Sequence, residues 1–241
     1  MHDYRGPPSP DPSNIGCERK IIKYSRENPS PRYRELSEMY ASMHHEGRPS
    51  TNHSADETFD GRSLEPHIAT VAGIVAANGA ATLLDFGSGK GKLYQDDIDS
   101  EDVRRKLLAQ WPGVKVSCYD PGYEPYAGAI EGPFDAVIST DVVEHIPEED
   151  IPWLLDELFG HAQVCIYVVA ACYPAKKKMP DGSNAHCTIR PPRWWVEQMR
   201  EASKRNSAIK WTLCTQKKSY FSFEQRNRIY KPGLRTDYFT A

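Results

Sequence analysis

A glycine-rich turn stands directly after an apolar run in the first half of the chain. The run 83–86 contains one acid, Asp85, and the turn 87–91 reads Gly-Ser-Gly-Lys-Gly. Glycine accepts positive φ angles and has no Cβ, so the backbone of such a turn can approach a ligand closely. The segment therefore predicts a loop that binds a nucleotide-like molecule at the end of a strand.

Three kinds of nucleotide-binding loop compete for this turn. A P-loop requires a hydroxyl residue after its Gly-Lys pair, but Leu93 stands there. A dinucleotide loop requires a third glycine where the chain has Lys92, and an acid at a strand end about 20 residues later. The remaining pattern is G-x-G-x-G, and the next apolar run, 114–119, is closed by Asp120. A carboxylate at that place can accept hydrogen bonds from both ribose hydroxyls of an adenosine.

A second group of polar residues follows another apolar run, 134–139. Thr140 and Asp141 come first, and Glu144 and His145 lie three and four residues after Asp141. If 141–145 forms a turn of helix, these spacings place the two carboxylates and the imidazole on one face. With His186, from the loop after the next predicted strand, they can bind Mg²⁺, Mn²⁺ or Fe²⁺. In the alternative interpretation Glu144 and His145 cap and orient the turn, and no metal binds.

These segments together resemble the class I S-adenosylmethionine (SAM) methyltransferases. The glycine turn is similar to the first motif of that family, Asp120 to the acidic position that follows it, and 141–145 to its D/E-x-x-E-H segment. The resemblance covers about residues 60–225, and it implies an enzyme that transfers the methyl group of SAM. It implies SAM contacts from Asp85, Gly87, Ser88, Gly89, Lys90, Gly91, Asp120, Pro121, Thr140 and Asp141.

The possible metal site carries a narrower resemblance. Asp141, Glu144, His145 and His186 are similar to the E-x-x-E-H…H site of 3′-terminal RNA ribose 2′-O-methyltransferases and to a related site in UbiG-type O-methyltransferases. The resemblance implies a divalent metal ion held by these four residues. His186 and His145 are also the candidate catalytic residues: His186 can act as a general base for an acceptor hydroxyl, or as a hydrogen-bond donor that orients the substrate.

Hydrophobic periodicity predicts the elements that must position these residues. Helices are expected at about 32–45, 63–77, 101–111, 147–160 and 191–205, and strands at 81–86, 114–119, 134–139 and 163–170. This alternation predicts an α/β fold with a doubly wound, mostly parallel sheet. The strand-like segments 209–214 and 220–224 predict a C-terminal antiparallel hairpin. Only 13 residues separate Asp120 from Phe134, so the third-strand region is expected to be shortened.

The chain is predicted to contain four parts. Residues 1–30, rich in proline, serine and charge, are expected to be a disordered tail. Residues 31–60 are expected to form an N-terminal helical lid, 61–228 the SAM-binding methyltransferase domain, and 229–241 a C-terminal tail. Within the lid, His44 and His45 lack a carboxylate pattern and are expected to be exposed.

Composition restricts the partners without choosing among them. The net charge of -3 excludes a uniformly basic nucleic-acid binder, and the six cysteines show no C-x-x-C pairing, which indicates free thiols in a reducing cytoplasm. No apolar stretch predicts a signal peptide or a contact with a membrane. Seven basic residues are expected at the rim of the site: Lys90, Lys92, Lys176, Lys177, Lys178, Arg190 and Arg193.

The leading hypothesis is methyl transfer to a hydroxyl group of a small-molecule, sugar or nucleotide-like acceptor. An anionic acceptor would account for the basic rim, although a solvated loop would account for it equally. A metal-dependent RNA ribose 2′-O-methyltransferase is the second hypothesis, so nucleic acid remains a possible partner. The third hypothesis is a SAM-binding scaffold subunit without activity.

Overall fold

The computed structural model describes residues 23–48, 53–95, 109–219 and 233–241. Its strands are β1 (Thr82–Phe86), β2 (Lys115–Tyr119), β3 (Phe134–Ser139), β4 (Ala162–Ala171), β5 (Lys210–Ser219) and β6 (Gly233–Thr240). They form one sheet in the order β2-β1-β3-β4-β5-β6. The strands β1 to β5 are parallel to one another, and β6 is antiparallel to β5. The predicted α/β fold, with its mostly parallel sheet and antiparallel C-terminal pair, is confirmed.

Helices cover both faces of this sheet. They are α1 (Pro31–Glu46), α2 (Ile68–Asn78), α3 (Ile151–His161) and α4 (Pro192–Ser203). Successive side chains of a strand point to opposite faces, and β3 shows the consequence. Val137 packs into the apolar core under α3 and α4, whereas Ile138 packs into the core under α2. The middle of the sheet is therefore buried on both sides, which explains why β4 reads as an almost continuous apolar run.

The helix ends follow local chemistry. The hydroxyl of Ser30 accepts the backbone N–H of Tyr33 at 3.1 Å, which caps α1. Gly79 ends α2 in the left-handed conformation, with φ at 64°. Gly160 was expected to end the helix that became α3, but it lies inside that helix, which continues to His161 and passes directly into β4.

The segment between β2 and β3 contains no strand. It holds only a short 3₁₀ turn, Glu124–Tyr126, so β2 is an edge strand of the described sheet. The predicted shortening of the third-strand region is thus confirmed. This edge leaves the loop after Tyr119 free to fold back over the glycine turn.

Both chain ends differ from the expected tails. Residues 233–240, part of the expected tail 229–241, form β6, because their backbone pairs along β5 and Phe239 packs against the core. Near the other end, Arg26 donates a hydrogen bond to the Tyr119 hydroxyl at 2.7 Å and forms a salt bridge with Glu157. Disorder over 1–30 is therefore corrected for this stretch, while residues 1–22 lie outside the described residues. The predicted strand 220–224 and most of the predicted helix 101–111 also lie outside them.

The described residues contain neither a disulfide bond nor a helix that could span a membrane. Cysteines 118, 165, 172, 187 and 214 form no disulfide bond. No helix in the described part of the chain combines the length and the apolar character needed to cross a bilayer.

Candidate functional site

A cavity of about 310 Å³ lies at the carboxyl ends of β1, β2 and β3. Parallel sheets bind ligands at this edge, and the volume suits a small-molecule site. The loops after the strands form one wall, and α1 with the segment 57–63 forms the opposite wall. Six of the ten predicted SAM contacts line the cavity: Gly87, Gly89, Asp120, Pro121, Thr140 and Asp141.

The glycine turn is shaped by its neighbours as well as by its backbone. Gly87 and Gly89 have φ angles of 80° and 58°. A Cβ on Gly87 would approach a methyl carbon of Val142 to 2.3 Å, and one on Gly89 would approach the carbonyl oxygen of Phe59 to 2.2 Å. Both distances are too short for real contacts. Glycine is therefore required at both positions by conformation and by packing.

The carboxylate of Asp120 connects the two loops that follow β1 and β2. Its Oδ2 accepts the N–H of Gly89 and its Oδ1 accepts the N–H of Gly122, both at 2.9 Å. Burial raises the pKa of this carboxyl, and these N–H donors oppose that rise. A carboxylate can accept about four hydrogen bonds. Since Asp120 also lines the cavity, lone pairs remain for a sugar hydroxyl.

Four predicted SAM contacts do not line the cavity: Asp85, Ser88, Lys90 and Gly91. Asp85 is the clearest case, because Phe86 next to it faces the cavity and side chains alternate along a strand. The Asp85 carboxylate instead accepts a hydrogen bond from the hydroxyl of Tyr94 at 2.8 Å, and burial raises its pKa to about 7. The Asp85 side chain therefore contacts Tyr94, which follows the glycine turn, and does not face the cavity.

Lys90 holds the two lid segments to the glycine turn. Its ammonium donates a hydrogen bond to the carbonyl of His44 at 3.1 Å, and another to the carbonyl of Ala55. The side chain is buried, and burial lowers its pKa. The expectation that Lys90 belongs to a solvent-facing basic rim is thus corrected.

His44 is a cavity residue that the sequence interpretation missed. It was expected to be exposed, but it is buried between the rings of Phe59 and Tyr123, with centroids 4.7 and 5.4 Å away. Burial, followed by the charges of Lys90 and Lys177, lowers its pKa to about 4, so the ring is neutral. The signal was available, because His44 continues the four-residue spacing of Leu36 and Tyr40 on the apolar face of α1.

Three potential ligand atoms converge beyond β3 and β4. The Oδ1 atom of Asp141 lies 3.7 Å from Nε2 of His145 and 4.0 Å from Nε2 of His186. One potential ligand atom from each of the three residues lies within 4.8 Å of the others. Asp141 also has a φ of 61°, which is unusual for a residue other than glycine and is typical of constrained functional sites.

Backbone carbonyls fix the orientation of both imidazoles. Nδ1 of His186 lies 2.6 Å from the carbonyl oxygen of Tyr173, and Nδ1 of His145 lies 2.8 Å from that of Ala185. A carbonyl oxygen only accepts hydrogen bonds, so in the neutral ring of His186 Nδ1 carries the proton and Nε2 has a free lone pair. Burial lowers the pKa of His186, which favours this neutral form.

Glu144 does not join this group. The turn 143–145 is a 3₁₀ turn rather than the assumed α-helical turn, so the expected shared face is not formed. One carboxylate oxygen of Glu144 accepts the backbone N–H of Ala171 at 2.9 Å, and the other is buried without a hydrogen-bond partner. Burial raises its pKa. Of the four predicted metal ligands, only Asp141, His145 and His186 converge, and Glu144 lies apart from them.

The Tyr40 side chain reaches this group from α1. Lys177 also lines the cavity. The Tyr40 hydroxyl is 2.7 Å from Nδ1 of His145, and the Lys177 ammonium is 4.2 Å from the centroid of the Phe59 ring. Of the seven predicted rim cations, Lys177 alone lines the cavity. Three of the others form salt bridges outside it: Lys92 with Asp56, Arg190 with Glu148 and Arg193 with Glu197.

Comparisons with known proteins give a remote structural match. No protein-family model and no curated protein sequence matches the chain. Among solved structures, the mitomycin 7-O-methyltransferase MmcR matches with 14% sequence identity and a TM-score of 0.32. The match covers 80% of this chain and 51% of that one, so the chain spans about half the length of that structure.

Proposed function

We propose that this protein transfers the methyl group of SAM to a hydroxyl group of a small acceptor. One observation carries the proposal: a single cavity joins two kinds of polar group. A glycine turn and the Asp120 carboxylate stand at one part of its wall, and Asp141 and His145 stand at another. His186 does not line the cavity itself and lies behind Asp141, with its Nε2 4.0 Å from Oδ1. The first arrangement suits an adenosine, and the second suits a hydroxyl that must lose a proton.

The residues of the cavity fit SAM. Gly87 and Gly89 line the cavity where the methionine part would lie, beside Thr140 and Asp141. Asp120 would hold the ribose hydroxyls, with Pro121 beside the adenine. When bound, SAM supplies an electrophilic methyl group.

The histidine cluster would manage the proton of the acceptor. Nε2 of His186 is the proposed proton acceptor, because its lone pair is free and its Nδ1–H is held by the Tyr173 carbonyl. Protonation creates an imidazolium ion, which the carboxylate of Asp141, 4.0 Å away, would stabilise. The Asp141 carboxylate lies 3.7 Å from Nε2 of His145 on its other side, and α1 would exclude water from the site.

A divalent cation bound by Asp141, His145 and His186 is the second candidate for the same cluster. The specific observation is that three acceptor atoms converge while both Nδ1–H groups are held by carbonyls, an arrangement that is usual for metal-binding histidines. A cation there would bind an acceptor oxygen and lower the pKa of its hydroxyl. A metal-dependent RNA ribose methyltransferase belongs to this alternative.

One experiment separates these possibilities. The purified protein is incubated with methyl-labelled SAM and either a small-metabolite extract or total RNA, with and without EDTA. Label in small molecules that survives EDTA supports the proposal with His186 as the base. Label that EDTA abolishes supports the metal, and label in RNA supports the ribose methyltransferase. SAM binding without any labelled product would contradict catalysis and favour a scaffold.

A further inference from the structure

Lys177 is a cation of the cavity whose hydrogen-bonding capacity is unused. Its ammonium carries three N–H donors, yet within the described residues its one direct contact is the face of the Phe59 ring at 4.2 Å. No carboxylate of the described residues lies within salt-bridge distance of it. Burial, followed by the charge of Arg48, lowers the pKa of Lys177 to about 8, and the charge of Asp141 opposes this shift.

The backbone holds Lys177 rigidly beside the histidine cluster. It belongs to the segment between β4 and α4, which turns back on itself through the bridge between Lys178 and Asn184. The carbonyl of Lys177 accepts the N–H of Ala185 at 3.1 Å, one residue before His186. Its charge also influences the pKa of both Asp141 and His186. Lys177 therefore lies near Asp141 and His186, at the reacting end of the cavity.

We propose that Lys177 binds a carboxylate group of the acceptor, so that the substrate is a hydroxy acid whose hydroxyl faces His186. This inference rests on the proposed function, because it concerns the acceptor of that reaction. A carboxylate matches the cavity better than a phosphate monoester does. The wall already contains the carboxylates of Glu57, Asp120 and Asp141, which repel a dianion more strongly than a monoanion.

The neighbouring rings complete this subsite. Phe59 lies against Tyr40 at 5.4 Å and against His44 at 4.7 Å between centroids, so the lysine stands over an aromatic wall. Such a wall keeps water away from the ammonium and strengthens its attraction to an anion. Phe59 has a φ of 54°, which holds its ring in this position at the expense of backbone strain.

The test uses three small aromatic probes of similar shape: 4-hydroxybenzoate, 4-hydroxybenzamide and 4-hydroxyphenyl phosphate. Binding to the full-length protein is measured by calorimetry and NMR, with and without saturating S-adenosylhomocysteine. The wild type should bind the carboxylate at least about tenfold more tightly than the amide and more tightly than the phosphate. Lys177→Met should lose this preference, and Lys177→Arg should recover most of it. Lys176→Met, which removes an exposed neighbouring charge, should leave the preference unchanged.

Each other result overturns the inference. The wild type would contradict the inference by binding the benzoate and the amide equally, by not binding the benzoate, or by binding the phosphate more tightly. A preference retained in Lys177→Met would also do so. If Lys177→Met instead weakens S-adenosylhomocysteine and leaves the probes unaffected, Lys177 binds the cofactor. If the wild type binds no S-adenosylhomocysteine, the proposed function is refuted. The preference among the probes, measured without S-adenosylhomocysteine, then still tests whether Lys177 binds a carboxylate.

Discussion

At the scale of single residues, the carbonyl groups that face His145 and His186 determine what their rings can do. The Tyr173 carbonyl keeps the proton of the neutral His186 ring on Nδ1, and Nε2 is left to accept a proton or to bind a cation. The third member, Asp141, reaches the pair through a backbone conformation that costs about 1–3 kcal/mol. The cluster therefore depends on a few backbone atoms as much as on its side chains.

The first prediction concerns His186 and the pH dependence of methyl transfer. Only the neutral imidazole can accept a proton, and burial lowers its pKa below the ordinary value of 6.5. Activity should thus be constant at neutral pH and should fall as the pH decreases through a value below 6.5. His186→Asn should lower kcat by about 10²–10⁴-fold and leave SAM affinity unchanged, whereas His45→Asn should change neither. A pH–rate profile with no acidic limb would contradict this role.

The second prediction concerns Asp85 and stability. Its folded-state pKa of about 7 lies above the value of about 4 for an unfolded chain, so the folded protein binds this proton more tightly. The free energy of unfolding therefore decreases as the pH rises from 4 through 7. Asp85→Asn keeps an acceptor for Tyr94 and should raise the free energy of unfolding at pH 8 by about 1–3 kcal/mol, with little change at pH 4.

Urea unfolding at pH 4 and pH 8 tests this prediction. Asp135 is the control, because its pKa is shifted in the opposite direction. Asp135 accepts the N–H groups of Ala81 and Thr82, and these hydrogen bonds lower its pKa. Asp135→Asn should therefore reduce stability at pH 8, where the ionised carboxylate is present. Equal stability of Asp85→Asn and the wild type at pH 8 would show that the Asp85 carboxyl ionises without penalty.

At the scale of elements, Lys90 couples α1 and the segment 53–60 to the glycine turn. Lys90→Met keeps most of the apolar stem but removes the donors to the carbonyls of His44 and Ala55. We expect a loss of about 1–3 kcal/mol in stability, faster hydrogen exchange in 31–46 and weaker SAM binding. Lys92→Met, which removes a surface salt bridge to Asp56, should change stability by less than about 1 kcal/mol. Unchanged exchange in Lys90→Met would contradict the coupling.

The elements that were predictable are those specified by local pattern. The runs 134–139 and 163–170 are mostly apolar and became β3 and β4, because strands covered on both faces bury most of their side chains. β6 was missed because an edge strand is held by backbone pairing, and its sequence has neither a long apolar run nor a polar–apolar alternation. The position of Glu144 was missed because the sequence pattern does not distinguish a short 3₁₀ turn from a turn of α-helix.

At the scale of the whole molecule, stability and chemistry occupy different parts of the sheet. Two apolar cores hold the strands from opposite faces, while the polar groups gather where β1, β3 and β4 end. The glycine turn and Asp120 could be assigned from the sequence, because each directly follows an apolar run. The roles of Tyr40, His44 and Lys177 could not, because they depend on how α1 and the segment after β4 dock over those strand ends.

The most direct test is calorimetry of the full-length protein with SAM and S-adenosylhomocysteine, and with NADH as the competing nucleotide. We predict saturable binding of both SAM-derived ligands at one site and no heat with NADH. Asp120→Ala should weaken binding at least about tenfold through loss of a charge-assisted hydrogen bond, and Asp156→Ala, on the surface of α3, should not. Saturation by NADH, with no heat from SAM or S-adenosylhomocysteine, would contradict the assignment of this cavity to SAM.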